Sequence, residues 1–276
     1  MAETKPLHFA VVGDVHDHFD LLIRRLDAWT KRTGRQLDFV LQVGDLQANR
    51  HSDDLETMAT PQRYRRLGDF HKLCASGQVL PWPLYFIGGN HEPYGWLDQH
   101  PGGATLMPNL HYIGRAGTVR LAGLQVVGMS GIYSELRFNL PRPPVGDILK
   151  HSRKHYTFHT EDDVSKAIDF GRADILLLHE WPQGVLAGEQ PANWLHLKHG
   201  AVHGGEIDKF GNAFGRYLLD TLRPAIVFCG HMHMPFEAEI MHADGLTTKV
   251  VCLSDITDED GSIRVFSVSN RCFTPM

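Results

Sequence analysis

Short apolar runs of strand length recur along the chain, and several of them break into glycine followed by a polar or titratable residue. Leu7 to Val12 leads into Gly13-Asp14-Val15-His16, Leu37 to Val43 into Gly44-Asp45, and Pro83 to Ile87 into Gly88-Gly89-Asn90-His91. Asp174 to Leu178 leads into His179-Glu180, and Ala225 to Cys229 into Gly230-His231-Met232-His233. These runs are rich in Val, Ile, Leu and Phe and do not alternate strictly with polar residues, so they predict strands buried on both faces of a helix-covered sheet. Between them, Phe19 to Lys31 carries Leu22, Leu26 and Trp29 on one stripe, and Pro61 to Ala75 carries Tyr64, Leu67, Phe70 and Leu73 on another. Both spacings predict amphipathic helices. From about Val119 the rhythm changes to short strands, at Val119 to Leu121, Leu124 to Met129, Lys249 to Leu253 and Ser262 to Val268, which predict a second sheet packed on the first. The proline-rich stretch from Asn139 to Ser152 reads as a surface loop.

Composition narrows the classes. The 276 residues are 42% hydrophobic and 21% charged, which excludes disorder, collagen and coiled coil and suits one α/β domain. A net charge of −5 argues against a surface devoted to gripping nucleic acid, while leaving room for a local basic patch. Four scattered cysteines, Cys74, Cys229, Cys252 and Cys272, make no disulfide framework and imply a reducing compartment. No apolar run approaches the roughly 18 to 20 residues of a membrane span, and Glu3 stands where a signal peptide would be basic, so the expected location is cytoplasmic, away from membranes. The anomaly is 18 histidines, more than packing requires.

Polar residues at the carboxyl ends of strands in α/β sheets converge on one crevice. The five strand exits would therefore bring together Asp14, His16, Asp45, Asn90, His91, His179, His231 and His233. Carboxylate oxygen and imidazole nitrogen without thiolate suit divalent Mn, Fe or Zn. Residues two apart in an extended chain share a side, so Asp14 and His16 can meet one ion, whereas His231 and His233, on a turning loop, could each address a different one. Asp45, with two oxygens, is the natural shared ligand of a two-metal site. Taken singly, Gly44-Asp45 could equally be a turn or a helix cap and His179 a structural histidine; the ordered conjunction points to a metal centre.

That ordered set, Asp14-x-His16, Gly44-Asp45, Gly89-Asn90-His91-Glu92, His179 and Gly230-His231-x-His233, resembles the calcineurin-like metallophosphoesterase superfamily. The resemblance covers about residues 8 to 236 and implies a four-layer α/β/β/α sandwich with two divalent metal ions. It places Asp14, His16, Asp45 and His233 on the first ion and Asp45, Asn90, His179 and His231 on the second. His91 is left to protonate the leaving oxygen or to stabilise charge at phosphorus. The implied reaction is hydrolysis of a phosphoester by a metal-bound hydroxide. His18 and His51 could support the site from behind the ligands, with solvated loop histidines as the leading reading.

A narrower similarity, to RNA lariat debranching enzymes, runs from about residue 40 to 185. It rests on Gly44-Asp45-Leu46-Gln47-Ala48-Asn49-Arg50, Tyr64-Arg65 to Gly68-Asp69-Phe70, Gly88 to Glu92, Pro108-Asn109-Leu110, Ser130-Gly131-Ile132-Tyr133 and His179-Glu180-Trp181-Pro182. These relatives commonly carry Cys where this chain has Asp14 and a longer C-terminal region. The resemblance implies a phosphodiesterase whose partner is RNA or a nucleotide. Gln47 could approach a phosphate or start a helix, and Arg50 could approach a phosphate. Residues 137 to 160 form a basic insertion in the single domain, where Arg137, Arg142, Lys150, Arg153 and Lys154 stand against one acid, Asp147, within 137 to 154. With Tyr156 and Phe158 this offers charge and stacking surface for a polyanion, Arg137, Arg142, Arg153, Lys154 and Tyr156 being the candidate contacts; a solvated loop whose aromatics cap the core is the alternative. Arg63, Arg65 and Arg66 read as a solvated helix face, and Trp194 to His199 has no assigned role. A phosphomonoesterase of proteins or small molecules, and an inactive binding protein on the same fold, are the competing functions.

Overall fold

The computed structural model describes residues 6–186 and 210–276, and the elements below are counted among these. The N-terminal half runs β1 (Leu7–Val12), α1 (Phe19–Thr33), β2 (Phe39–Gln42), α2 (Ser52–Glu56), α3 (Phe70–Ser76), β3 (Leu84–Phe86), α4 (Tyr94–Leu97), β4 (Ala104–Met107), β5 (Leu110–Tyr112), β6 (Ala116–Leu121) and β7 (Leu124–Met129). There follow α5 (Glu161–Asp169), β8 (Ile175–Leu178), α6 (Ala213–Leu222), β9 (Ile226–Cys229), β10 (Phe236–Met241), β11 (Thr247–Cys252), β12 (Ile263–Ser269) and β13 (Cys272–Pro275).

The strands form a seven-stranded sheet in the order β13-β12-β1-β2-β3-β5-β4 and a six-stranded sheet in the order β10-β11-β9-β8-β7-β6. Parallel pairing joins β1 to β2, β2 to β3 and β3 to β5 in the first sheet, and β7 to β8, β8 to β9 and β9 to β11 in the second. Side-chain alternation divides each central strand between two cores, which is why the strands read as unbroken apolar runs. Phe9, Val11, Phe39 and Leu41 meet Ile175, Leu177, Ile226 and Phe228 in the layer between the sheets. Ala10, Val12 and Val40 face outward to Leu22, Leu26 and Phe70 of α1 and α3. Leu176, Leu178 and Val227 face Val164, Ala167, Leu218 and Leu219 of α5 and α6. The result is the expected α/β/β/α sandwich. Each fully buried Leu or Phe in these layers contributes about 1.5–3 kcal/mol relative to exposure.

Two expectations are corrected. The stripe from Pro61 to Ala75 does not make one helix: a 3-10 turn at Gln62–Tyr64 is separated from α3, and Tyr64 is exposed. Gly68 lies between them with φ +62, and a side chain there would run into the Asp17 carboxylate. Asp17 Oδ1 accepts the Phe70 N–H at 2.8 Å and Asp69 Oδ1 accepts the Phe19 N–H at 2.7 Å, so reciprocal carboxylates tie the starts of α1 and α3 together and end any continuous helix. The second correction concerns β12, which joins the first sheet beside β1, antiparallel, and not the second. The 139–152 stretch is largely irregular, with one 3-10 turn at Val145–Asp147 and Ile148 buried. No helix among the described residues is long and apolar enough to cross a membrane. Trp194 to His199 lies outside the described residues.

Candidate metal centre

Five chain exits, after β1, β2, β3, β8 and β9, meet at one end of the sandwich. Their backbones are constrained. His16, Asp17, Asp45, Gln47, His231 and His233 all have positive φ, between 48 and 68°, a region that costs a non-glycine residue about 1–2 kcal/mol and persists where surrounding bonds over-determine it. Those bonds are present. The Val15 and His16 N–H groups donate to the Asp45 carbonyl at 3.0 and 2.9 Å, and the His231 N–H donates to Asp14 Oδ1 at 3.0 Å. The His91 N–H donates to Asp45 Oδ1 at 2.6 Å. Glu92, fully buried, accepts from the Leu46 and Gln47 N–H groups at 2.8 and 3.0 Å and so braces the loop that carries Asp45.

Three glycines are dictated by the same crowding. A Cβ at Gly44 would press on the His179 ring, one at Gly89 would overlap Asp45 Oδ1, and one at Gly230 would overlap Asp14 Oδ1. Each loop thus approaches a carboxylate or imidazole of another loop by omitting a side chain.

The polar atoms collect into two groups, Asp14-His16-His233 and Asp45-His179-His231, within each of which the candidate ligand atoms lie within 4.8 Å of one another. In the first, His16 Nε2 and His233 Nε2 are 3.0 Å apart, and Asp14 Oδ2 is 3.0 Å from the latter and 3.8 Å from the former. In the second, His179 Nε2 stands 3.1 Å from Asn90 Oδ1 and 3.4 Å from Asp45 Oδ2, while its Nδ1 faces the Val43 carbonyl at 2.9 Å. The Val43 carbonyl can only accept, so Nδ1 carries a proton and Nε2 is turned toward two oxygens. Two acceptor oxygens facing Nε2 call for positive charge at that point, which a proton on the ring or a metal ion would supply, and nitrogen with carboxylate and amide oxygen is the donor set of Mn, Fe or Zn. The residues fit a pair of divalent ions.

The electrostatics show the same demand for positive charge. Burial acts to lower the His179 pKa, but the Asp45 carboxylate overcomes it and raises it to about 10. Burial lowers His231 to about 4, the charge on His179 adding to it. Burial likewise lowers His16, against the pull of Asp45 and Asp14. His233 goes the other way: burial opposes, and its bond to Asp14 raises it. Burial pushes Glu92 up to about 7, with the Asp45 charge in support.

His91 belongs to neither group. Its Nδ1 meets the Thr60 hydroxyl at 2.7 Å, and its ring lies at the wall of a cavity of about 320 Å³ that is also lined by Pro61, Asn90, Ile132, Lys154 and Phe158. Of the residues nominated for substrate contact, Lys154 lines this cavity and Arg137 is half-buried. The others are engaged elsewhere. Arg50 pairs twice with Asp54, at 2.7 and 3.0 Å, and lies over the Trp96 ring. Arg142 pairs with Asp163 at 2.5 Å, and Arg153 donates to the carbonyls of Glu56, Leu149 and His151. Tyr156 is fully buried with its hydroxyl donating to the Pro144 carbonyl, so it presents no ring to stack on. His18 and His51 are exposed.

Three contributors went unrecognised in the sequence. Gln47 starts no helix; its side-chain amide sits 2.6 Å from His16 Nδ1. Thr60, in no motif, holds His91. Asp255 Oδ2 lies 3.5 Å from His233 Nδ1, from a loop more than twenty residues beyond the histidine pair. Only the Gly-Asp-x-Gln order could have flagged Gln47; nothing local marks the other two.

Comparison with known proteins leads to the same chemistry. The profile of the calcineurin-like phosphoesterases matches residues 7–235. A lariat debranching enzyme of Entamoeba histolytica is 31% identical over 87% of this chain and 67% of its own length. That of Drosophila melanogaster is 34% identical over 86% of this chain and 44% of its own length. The chain spans about half the length of most of the other curated relatives it matches. One solved crystal structure superposes over 99% of both chains with a TM-score of 0.56 at 15% identity, a likeness of fold alone.

Proposed function

Because this chain belongs to the calcineurin-like phosphoesterase family, for which divalent metal ions are implied, we propose that it is a dinuclear phosphodiesterase acting on a nucleic-acid or nucleotide phosphodiester, in the manner of the debranching enzymes. The observation that carries this reading is the pairing of two ligand groups with a histidine that belongs to neither, at the wall of a cavity. Asp14, His16 and His233 would hold one ion and Asn90, His179 and His231 the other, with Asp45 available to both. When bound, the two cations of Mn, Fe or Zn supply Lewis acidity at the phosphoryl oxygens and make water nucleophilic near neutral pH.

The chain's own residues do the rest. The Val43 carbonyl accepts the Nδ1–H of His179, and Gln47, with its amide turned so that the oxygen faces the ring, would accept the Nδ1–H of His16, which would leave both Nε2 atoms to the ions. Thr60 fixes the His91 ring by Nδ1 and leaves Nε2 to protonate the departing oxygen. Lys154 offers a positive charge in the cavity that His91 lines, and Pro61, Ile132 and Phe158 offer an apolar wall for a base. This combination of one cation with apolar surface favours a nucleoside leaving group over a bare phosphate monoester.

The test is a side-by-side assay, with each metal added in turn, of a 2′,5′-branched oligonucleotide, a linear 3′,5′ strand, a cyclic nucleotide and an aryl phosphate. The branched substrate is expected to turn over fastest. Turnover of the aryl monoester alone would make this a phosphomonoesterase, and turnover of none would leave a binding protein.

A further inference from the structure

The segment that follows β11 stands against both halves of the first ligand group. The Ile256 N–H donates to the Asp14 carbonyl at 2.7 Å, the Leu253 N–H donates to the Cys229 carbonyl at 2.8 Å, and Ser254 packs so closely on Gly13 that a side chain at position 13 would overlap its carbonyl. Asp255 is aimed by its neighbour: the Thr257 N–H donates to Oδ1 at 2.9 Å and the Thr257 hydroxyl donates to the same oxygen. With Oδ1 occupied, Oδ2 is the oxygen that faces His233 Nδ1 at 3.5 Å. Residue 255 lies outside the stretch matched by the family profile, which ends at 235.

Resting on the metal-site reading above, we propose that Asp255 is a positioning residue for the first ion, acting through His233. Ligation by His233 Nε2 places the proton on Nδ1, and a carboxylate accepting that proton holds the tautomer, fixes the ring plane and makes the imidazole a stronger donor. The two histidines of this group are therefore supported from opposite sides by different chemistry, a neutral amide at His16 and a carboxylate at His233. In the second group, His179 Nδ1 is held by a backbone carbonyl. Thr257 acts one step further out, by keeping Oδ2 turned toward the ring.

The proposal is tested on the full chain by metal titration and by metal content after dialysis against a graded chelator, with zinc as the probe, for wild type, Asp255→Ala, Asp255→Asn and Thr257→Val. Outer partners of this kind are worth about 10- to 100-fold in metal affinity. Asp255→Ala is expected to lose that much at one site and nothing at the other, so that intermediate chelator leaves two ions on the wild type and one on the variant. Asp255→Asn, which keeps an acceptor oxygen without the charge, is expected to recover part of the affinity, and Thr257→Val to show a smaller loss. The ¹⁵N shifts of His233 should report proton occupancy of Nδ1 in wild type and its redistribution in Asp255→Ala. Two ions of unaltered affinity in all three variants would overturn the proposal while leaving the metal centre intact; a wild type that takes up no zinc would overturn the metal centre and this proposal with it. If Asp255→Ala does not fold, the Asn and Val variants decide the matter by the same readouts.

Discussion

His16 and His233 face each other with their Nε2 atoms 3.0 Å apart, although 217 positions separate them in the chain. Their outer nitrogens are turned away, toward Gln47 and Asp255. Two imidazoles in this posture, with Asp14 Oδ2 beside them, direct three donor atoms at one point, the arrangement a divalent ion would take up on the proposed reading.

Removal of ligands should therefore act group by group. His233→Ala is expected to lower the metal content from two ions to one per chain, and His179→Ala to do the same at the other position. Elemental analysis of the purified variants checks this, and a pair of variants that retain both ions would refute the assignment.

His91→Ala should keep both ions and lose about 10²-fold or more in kcat, the usual contribution of a positioned general acid. Thr60→Val removes only the hydroxyl that steadies the ring, a loss of about 1 kcal/mol, or roughly fivefold. A larger effect of Thr60→Val than of His91→Ala would reverse the roles of the two residues.

Glycine substitutions separate steric from conformational cost. Gly89→Ala puts a methyl onto the Asp45 carboxylate and is expected to weaken metal binding as well as folding. Gly34→Ala, at the end of α1 with φ +66 and open space around it, should cost about 1 kcal/mol of stability and no metal. Melting curves and metal titrations on both variants make the comparison; equal metal loss in the two would contradict it.

A pH effect is expected away from the metal centre. His159 is fully buried between Tyr133 and Phe138, neither of its ring nitrogens has a hydrogen-bond partner among the described residues, and burial pulls its pKa down to about 4, with Arg142 and Arg115 adding to the shift against Asp163. Between about pH 6.5 and 4 the unfolded chain binds this proton and the folded chain does not, so stability is present above pH 6.5 and is lost as pH falls, by up to about 3 kcal/mol. His159→Phe should flatten that slope in thermal melts between pH 7 and 5; a slope identical to wild type would show that other groups carry it.

Within the basic insertion, Lys154→Ala should raise KM with little change in melting temperature, whereas Arg142→Ala should lower the melting temperature, because it strands Asp163 without its buried partner. Steady-state kinetics and melting curves on the two proteins would expose an exchange of these effects.

The sequence alone determined the strand runs, the alternation between two cores and the eight polar side chains at strand exits, because burial on both faces and ligand chemistry each demand particular residue types at particular spacings. Leu7 to Val12 and Asp14-x-His16 carry that information locally. Tertiary structure decided what depends on distant partners. The helix read from Pro61 to Ala75 was broken by Asp17 and Asp69, whose bonds to the other helix's start outweigh a helical stripe. The edge pairing of β12 beside β1 and the recruitment of Thr60 and Asp255 are equally invisible along the chain. Arg50, Arg142, Arg153 and Tyr156 look available in sequence, since a charge or a ring carries no mark of the partner that will occupy it, and only folding reveals Asp54, Asp163, the Glu56 carbonyl and Pro144 as those partners.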